Sequence, residues 1–331
     1  MSKFAVGRGP HRGEAEAKTK SMRLAGFLRQ NWDFVLFCIG LLGVVFAGGI
    51  AVGKYQFFPY QPINNGIDAL RDWQENWRHY LQIRSKYLLP TARTARGVTV
   101  HDQASVWPGY TFLTMYRNGR YGASLVDMEG RTLHTWDIAL SDVWPEAKHL
   151  EVTPPDFDVH FHGSVLLPNG DVILNLEGEG SVRIDACSRI VWKVPAVTHH
   201  AVDHLPNGDT LMLATRKHRA SPRYPGLGPG PGGYFIENTV LRVRPDGSVA
   251  EEISILDILY DSGWQALLLA GAGGDVEIES EDPTHLNDVE VLRSDMANAF
   301  PLFEAGDMAL SLRNLNTILI LDGRNWRIKW T

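Results

Sequence analysis

The pentapeptide Leu-Pro-Asn-Gly-Asp occurs twice, at Leu167–Asp171 and Leu205–Asp209, 38 residues apart. Asn-Gly between short runs rich in Val, Ile, Leu and Thr is a hairpin signal, because Gly accepts the positive φ that the turn requires. The flanking runs repeat with the turns. One unit spans Gly109–Trp136 and the next His162–Trp192. A third opens at His200 and closes through Thr239–Ile255, and a fourth opens at His285 and ends with Gly306–Trp330. Each reads as strand, turn, strand, strand, turn, strand. A period of about 40 residues with four strands per unit is the pattern of a β-propeller, whose sheets are each too thin to bury both faces alone. With 44% hydrophobic residues the chain has material for such a core. The expectation is an all-β propeller domain over residues 105–331, about four blades, with Trp136, Trp192 and Trp326 filling the gaps between blades. An open stack of meanders or a sandwich is the alternative.

Ahead of the repeats, Phe34–Gly53 carries no charge. Twenty residues at about 1.5 Å each match a bilayer core of about 30 Å. Residues 33–56 therefore read as a transmembrane helix contacting membrane lipid. Residues 1–32 hold seven Lys/Arg against Glu14 and Glu16, a charge of +5, so the remainder carries −11 of the overall −6. The basic head reads as a cytoplasmic tail, which puts the C-terminal body on the periplasmic or exoplasmic side of an inner or plasma membrane. A cleaved signal peptide is the alternative, but both the head and the apolar run are long for one. A body this acidic is not expected to bind nucleic acid. Residues 61–89, with Ile67, Leu70, Trp73, Trp77, Leu81 and Leu88 at helical spacing before Pro90, read as a stalk or bracing helix. Cys38 lies in the span, so Cys187 has no disulfide partner within the outer body. Two insertions interrupt the repeats, a Gly/Pro-rich loop at Ser221–Phe235 and a segment at Ser254–Asp282 expected to contain a short helix.

His162 and His200 each stand eight residues before the Gly of their turn, and His285 opens its own unit. Equivalent first-strand positions converge near the axis of a propeller, so these imidazoles are expected to meet. His199 and His200 are adjacent and fall on opposite faces of a regular strand; only a bulge aims both inward. His204 is expected to share the face of His200 and Val202. His160-x-His162, with Asp158 two residues earlier, also has the spacing of metal ligands on one strand face. The favoured reading has no metal and no cofactor, with His160 and His162 lining a channel.

The segments THHAVDHLPNGDTLML, DPTHLNDVEVL and GDMALSLRNLNTILILDGRNWRIKW resemble the bacterial arylsulfotransferase family, from about residue 105 onward. The resemblance implies a six-bladed propeller that moves a sulfuryl group from a phenolic sulfate donor to a phenol acceptor through a sulfated histidine. It implies active-site roles for one of His199 and His200, and for His285, Asn287 and Arg313. Neutral imidazole suits the nucleophile, and the guanidinium fork suits two sulfuryl oxygens. Tyr224, Tyr234, Phe235 and Trp264 are candidates to hold the aryl ring. A six-bladed ring needs about two more blades than are present, and the family's nucleophilic histidine lies further along. A longer chain, a second chain completing the ring, or a four-bladed closure are the expectations, and without a continuation transfer is not expected. The second functional reading is an inactive propeller that docks subunits of a membrane complex.

Overall fold

The computed structural model describes residues 31–55, 57–81, 85, 87–88, 94–219, 221–227, 233–270 and 281–331. Residues 1–30 of the basic head lie outside them. The chain divides into two units, Met1–Leu81 and Gln82–Thr331.

In the first unit, helix α1 spans Trp32–Tyr55 and buries none of its side chains. It is long and apolar enough to cross a membrane. Helix α2 follows at Tyr60–Tyr80. Ile63, Ile67, Leu70, Trp73 and Trp77 are exposed on it, and their steps of three or four residues set them along one face. The helix ends short of residue 89. Ser85 is fully buried and donates to Asp158 Oδ1 at 2.7 Å, an anchorage that belongs to the second unit.

The second unit is mostly β, with four antiparallel meanders. The first holds β1 (Thr111–Arg117), β2 (Arg120–Val126) and β3 (Thr132–Trp136). The second holds β4 (Phe161–Leu166), β5 (Val172–Leu176), β6 (Gly180–Ile184) and β7 (Ile190–Val194). The third holds β8 (Thr198–His204), β9 (Thr210–His218), β10 (Phe235–Val243) and β11 (Val249–Ser254). The fourth holds β12 (Leu286–Val291), β13 (Met308–Leu312), β14 (Thr317–Leu321) and β15 (Ile328–Trp330). The first meander has three strands where the repeat suggested four, because the chain after Trp136 turns into the one-turn helix α3 (Leu140–Val143), which buries Leu140 and Val143. The Ser254–Asp282 insertion holds two short helices, α4 (Ile255–Asp261) and α5 (Ala266–Ala270); Ser254 Oγ caps α4 by accepting from Asp257 N–H at 3.1 Å.

Period-2 alternation divides each middle sheet between two cores. On β5, Val172, Leu174 and Leu176 pack toward the first sheet with Ala123 and Trp136, while Ile173 packs toward the third. On β9, Met212 and Ala214 join that second core, while Leu211 and Leu213 meet Leu310, Leu312 and Leu319 of the fourth sheet. Burying such a Leu contributes about 1.5–3 kcal/mol, so three cores in series hold the sheets face to face. The recurrent tryptophans sit between sheets. Trp136 Nε1 donates to Gly170 O of the next sheet at 3.1 Å, and Trp326 Nε1 to Glu251 Oε1 of the previous one at 2.9 Å. Trp192 lies so close to Gly247 that a Cβ there would come within 2.5 Å of it. The first strands are neighbours: β4 touches β1 and β8, and β8 touches β12.

Candidate functional site

The two Leu-Pro-Asn-Gly-Asp turns fold alike. Leu167 N–H bonds Asp171 O at 2.8 Å and Leu205 N–H bonds Asp209 O at 2.9 Å, with Gly170 at φ 86° and Gly208 at φ 89°. Equal spacing back from equal turns puts His162 on β4 and His200 on β8 at equivalent positions. Between them the strands approach closely at Gly163, where a Cβ would lie 2.0 Å from His200 O. Only a residue without a side chain fits there.

His200 leaves the regular strand. The β8–β9 register slips between His199 and Val202, and His200 adopts φ 51°. This bulge separates the two neighbouring histidines by environment and not by simple alternation. His199 is buried, its Nε2 without a hydrogen-bond partner among the described residues. Burial disfavours its charged form and brings its pKa down to about 4. His200 turns into a row of polar side chains. Its Nδ1 lies 2.9 Å from His162 Nδ1, and its Nε2 lies 3.1 Å from His285 Nε2. Arg313 Nη1 lies 3.1 Å from the same His285 nitrogen. The structure thus brings His162, His200, His285 and Arg313 together from three sheets. His285 also has positive φ, 45°, just ahead of β12, and Arg313 opens a 3-10 turn just after β13.

Two carboxylates stand behind the row. Glu177, at the β5–β6 turn, accepts from His200 N–H at 2.9 Å and lies 2.9 Å from His162 Nδ1 and 3.5 Å from His200 Nδ1. Burial pushes its pKa up, but the hydrogen bonds from His200 and the charges of both rings outweigh this and hold it at about 2. Asp282 lies 3.2 Å from His285 Nδ1 and accepts from His285 N–H at 2.8 Å. Its carboxyl is pushed up by burial and held below the usual range by His285 and by the Asn238 amide. The hydrogen-bond logic fixes a tautomer. Arg313 can only donate, so His285 Nε2 accepts and carries its proton on Nδ1, facing Asp282. His200 Nε2–H then also points at His285 Nε2.

A repeated Asn–Thr pair supports these loops. Asn175 Nδ2 donates to His200 O at 3.0 Å, and its Oδ1 accepts from Thr198 Oγ1 at 2.6 Å. Asn238 Nδ2 donates to Thr284 Oγ1 at 2.9 Å and to Asp282 Oδ1 at 2.6 Å. Glu177, Asp282, Asn175 and Asn238 were not singled out from sequence. Asp282, three residues before His285, was the one with a local signal.

The other expected site residues have surroundings of their own. Asn287 sits in the β12 bulge between Leu286 and Asp288, with its Oδ1 buried and lacking a hydrogen-bond partner among the described residues. His204 does not join His200: the bulge breaks the alternation, and His204 Nδ1 faces Thr210 Oγ1 at 3.1 Å. His160 rests against the Tyr87 ring, centroids 4.2 Å apart, and 5.8 Å from the His162 ring, and a ring nitrogen of each histidine lies within 4.8 Å of the other and of a Glu177 oxygen. Tyr224 and Phe235 are buried in the core between the third and fourth sheets. The Tyr224 hydroxyl lies 2.8 Å from both Glu237 Oε1 and Asp257 Oδ1, with one hydrogen to share between them, and Phe235 stacks on His218 at 5.3 Å. Tyr234 lies under the Lys217 ammonium, 4.7 Å from the ring centre. Trp264 is part-exposed and lines a groove with Ser254, Asp257 and Trp326. These rings are engaged by their own surroundings, and none has a contact with the imidazole row among those described.

No curated protein matches the chain at a significant level. A crystal structure of a protein of unknown function from Bacteroides caccae is similar at 10% identity with a TM-score of 0.34, over 66% of this chain and 55% of that one. The chain thus spans little more than half of that protein's length, and a likeness so faint carries no argument. The family model described as Arylsulfotransferase (ASST) matches residues 163–331, half of the chain and the part that contains His200, His285 and Arg313. This chain belongs to the arylsulfotransferase family.

Proposed function

We propose that this protein is a membrane-anchored sulfuryl-transfer protein that takes an aryl sulfate as donor and a phenol as acceptor. In this reading α1 spans the membrane, the head is cytoplasmic, and the four sheets are successive blades of a β-propeller on the periplasmic or exoplasmic side. The stacked cores and the adjacency of first strands support the propeller reading. The row Arg313–His285–His200, with steps of 3.1 Å and 3.1 Å, carries the functional one. A sulfuryl group in transfer spreads negative charge over its oxygens, and the Arg313 guanidinium with the His200 Nε2–H, both set against His285 Nε2, is a donor set suited to it.

The reaction proceeds in two halves. A histidine nitrogen attacks sulfur, the S–O bond to the aryl group breaks, and the leaving phenolate takes a proton. The acceptor phenol then gives up its proton, attacks the same sulfur and breaks the N–S bond. The family resemblance assigns the sulfated histidine to a later part of the fold. The residues here supply the cradle and the proton. Arg313 grips the sulfuryl oxygens, Asn287 offers its amide, and His285 is held in one tautomer by Asp282. His200 delivers its Nε2 proton to the phenolate and recovers one from the acceptor.

The test is binding of 4-nitrophenyl sulfate to the full chain in detergent, with a stoichiometric burst of 4-nitrophenolate before any phenol is present and turnover once a phenol is added. Arg313→Ala should weaken binding by roughly 100-fold, the loss of one charge-assisted pair. Equal affinity in wild type and Arg313→Ala would overturn the reading.

A further inference from the structure

We infer that His162 Nδ1, His200 Nδ1 and the Glu177 carboxylate form a binding site for a divalent transition metal of the Zn2+ class, with an open fourth position on the exposed side of His162. The three donors face one another: 2.9 Å between the ring nitrogens, 2.9 Å from His162 to Glu177 Oε2 and 3.5 Å from His200 to Glu177 Oε1. Tetrahedral Zn2+ with bonds of roughly 2.0–2.1 Å separates its ligands by roughly 3.3 Å, within the spread seen here.

Protons alone satisfy this triangle poorly. If both ring nitrogens carry a proton, two N–H groups confront each other across 2.9 Å. If only His162 does, its one N–H is shared between His200 Nδ1 and Glu177 Oε2 at 2.9 Å each, and the His200 lone pair stands 3.5 Å from Glu177 Oε1. A cation at the centre takes all three lone pairs at once. The surroundings are those of a supported ligand set. His200 N–H donates to Glu177, Asn175 holds the His200 carbonyl, and the far nitrogen of His200 faces His285. A separate observation points the same way. His199 is only 9% exposed and its Nε2 lacks a partner among the described residues. One of its ring nitrogens nevertheless lies within 4.8 Å of donors on Glu177 and His200. A metal on His200 Nδ1 also locks that ring's proton onto Nε2, the nitrogen turned toward His285 and Arg313.

Metal binding is read without any aryl sulfate, so this inference and the sulfuryl-transfer reading fail separately. The experiment uses the full chain in detergent, stripped with a chelator and desalted. Zn2+ is titrated against a chromophoric competitor, and Co2+ is added to report tetrahedral geometry through its visible absorption. One Zn2+ per chain is expected, with an intense tetrahedral Co2+ spectrum. Glu177→Gln and His162→Ala should each weaken Zn2+ by 100-fold or more. His162 is exposed, so its substitution spares the core. His204→Gln, on the same strand as His200, should bind Zn2+ like wild type. No stoichiometric Zn2+ in wild type, or equal affinity in wild type, His162→Ala and Glu177→Gln, would overturn the site.

Discussion

Replacing Gly163 by Ala tests the step from backbone packing to site geometry with a single methyl group. The added Cβ would stand 2.0 Å from His200 O and 3.1 Å from the His200 and Ala201 carbonyl carbons. An ordinary carbon–oxygen contact is about 3.2–3.4 Å, so β4 and β8 must part by about 1.2 Å or more. The obstacle is backbone, held by Asn175 Nδ2 at 3.0 Å, and has no rotamer with which to yield. Overpacking of this kind costs about 1–3 kcal/mol, and a contact this short belongs at the upper end. For a body of about 250 residues each kcal/mol moves Tm by about 2–4 °C, so a fall of about 6–12 °C is expected. The same displacement moves His162 away from His200, whose 2.9 Å contact has no slack. Aryl-sulfate and Zn2+ affinity should therefore fall together with Tm, as read by thermal unfolding and by titration at a temperature where the variant is folded. Gly109→Ala is the control, since a Cβ there meets nothing within 4 Å. A Gly163→Ala protein with the Tm and affinities of wild type would refute the claim that this approach positions the imidazoles.

His285→Gln should reduce aryl-sulfate affinity at least tenfold, whereas His204→Gln, which loses only its contact with Thr210 Oγ1, should leave it within twofold; equal losses would contradict the inward row. Asp282→Asn keeps one oxygen for His285 N–H and the Asn238 amide and turns an NH2 donor toward His285 Nδ1, so affinity should drop about tenfold with little change in Tm, and an unaltered affinity would show that the tautomer is set otherwise. Glu237 is buried, which raises its pKa, but Ser254, Tyr224 and His218 bond to it and hold it below the ordinary glutamate value. Its folded-state pKa is the lower one, so its contribution is complete above the unfolded value and is lost as pH falls through the folded one. Glu237→Gln should cost about 1–3 kcal/mol at pH 7 in chemical denaturation. The gap from wild type should narrow below about pH 4.5, and a gap that stays constant into acid would refute the assignment.

What the sequence discloses about this protein depends on how far covalent spacing reaches. His162 and His200 were legible because each is tied by eight residues of strand to an identical turn, and identical turns reproduce strand position. Their contact at 2.9 Å follows once the two first strands are neighbours. The alternation that puts His204 on one face with Val202 does not reach back to His200, because the ladder slips between His199 and Val202. The positive φ of His200 is set by Glu177 and Asn175, residues of the preceding sheet that hold the His200 N–H and C=O. Nothing in the local sequence of β8 announces them. Glu177 follows Leu176, the register partner of Phe161, so it meets His162 only across the β4–β5 hairpin. Tyr224 shows the converse. An aromatic residue in a Gly/Pro-rich loop has the look of a ligand contact until Glu237, buried on β10, is seen to need its hydroxyl. The pattern is physical: repeats report where strands start, whereas the partners that polarise an imidazole or claim a phenol come from a neighbouring sheet or across a hairpin. A second sheet is therefore required before a row of histidines acquires a chemistry, and in this chain the second sheet supplies the Glu177 carboxylate and the fourth supplies the Arg313 guanidinium.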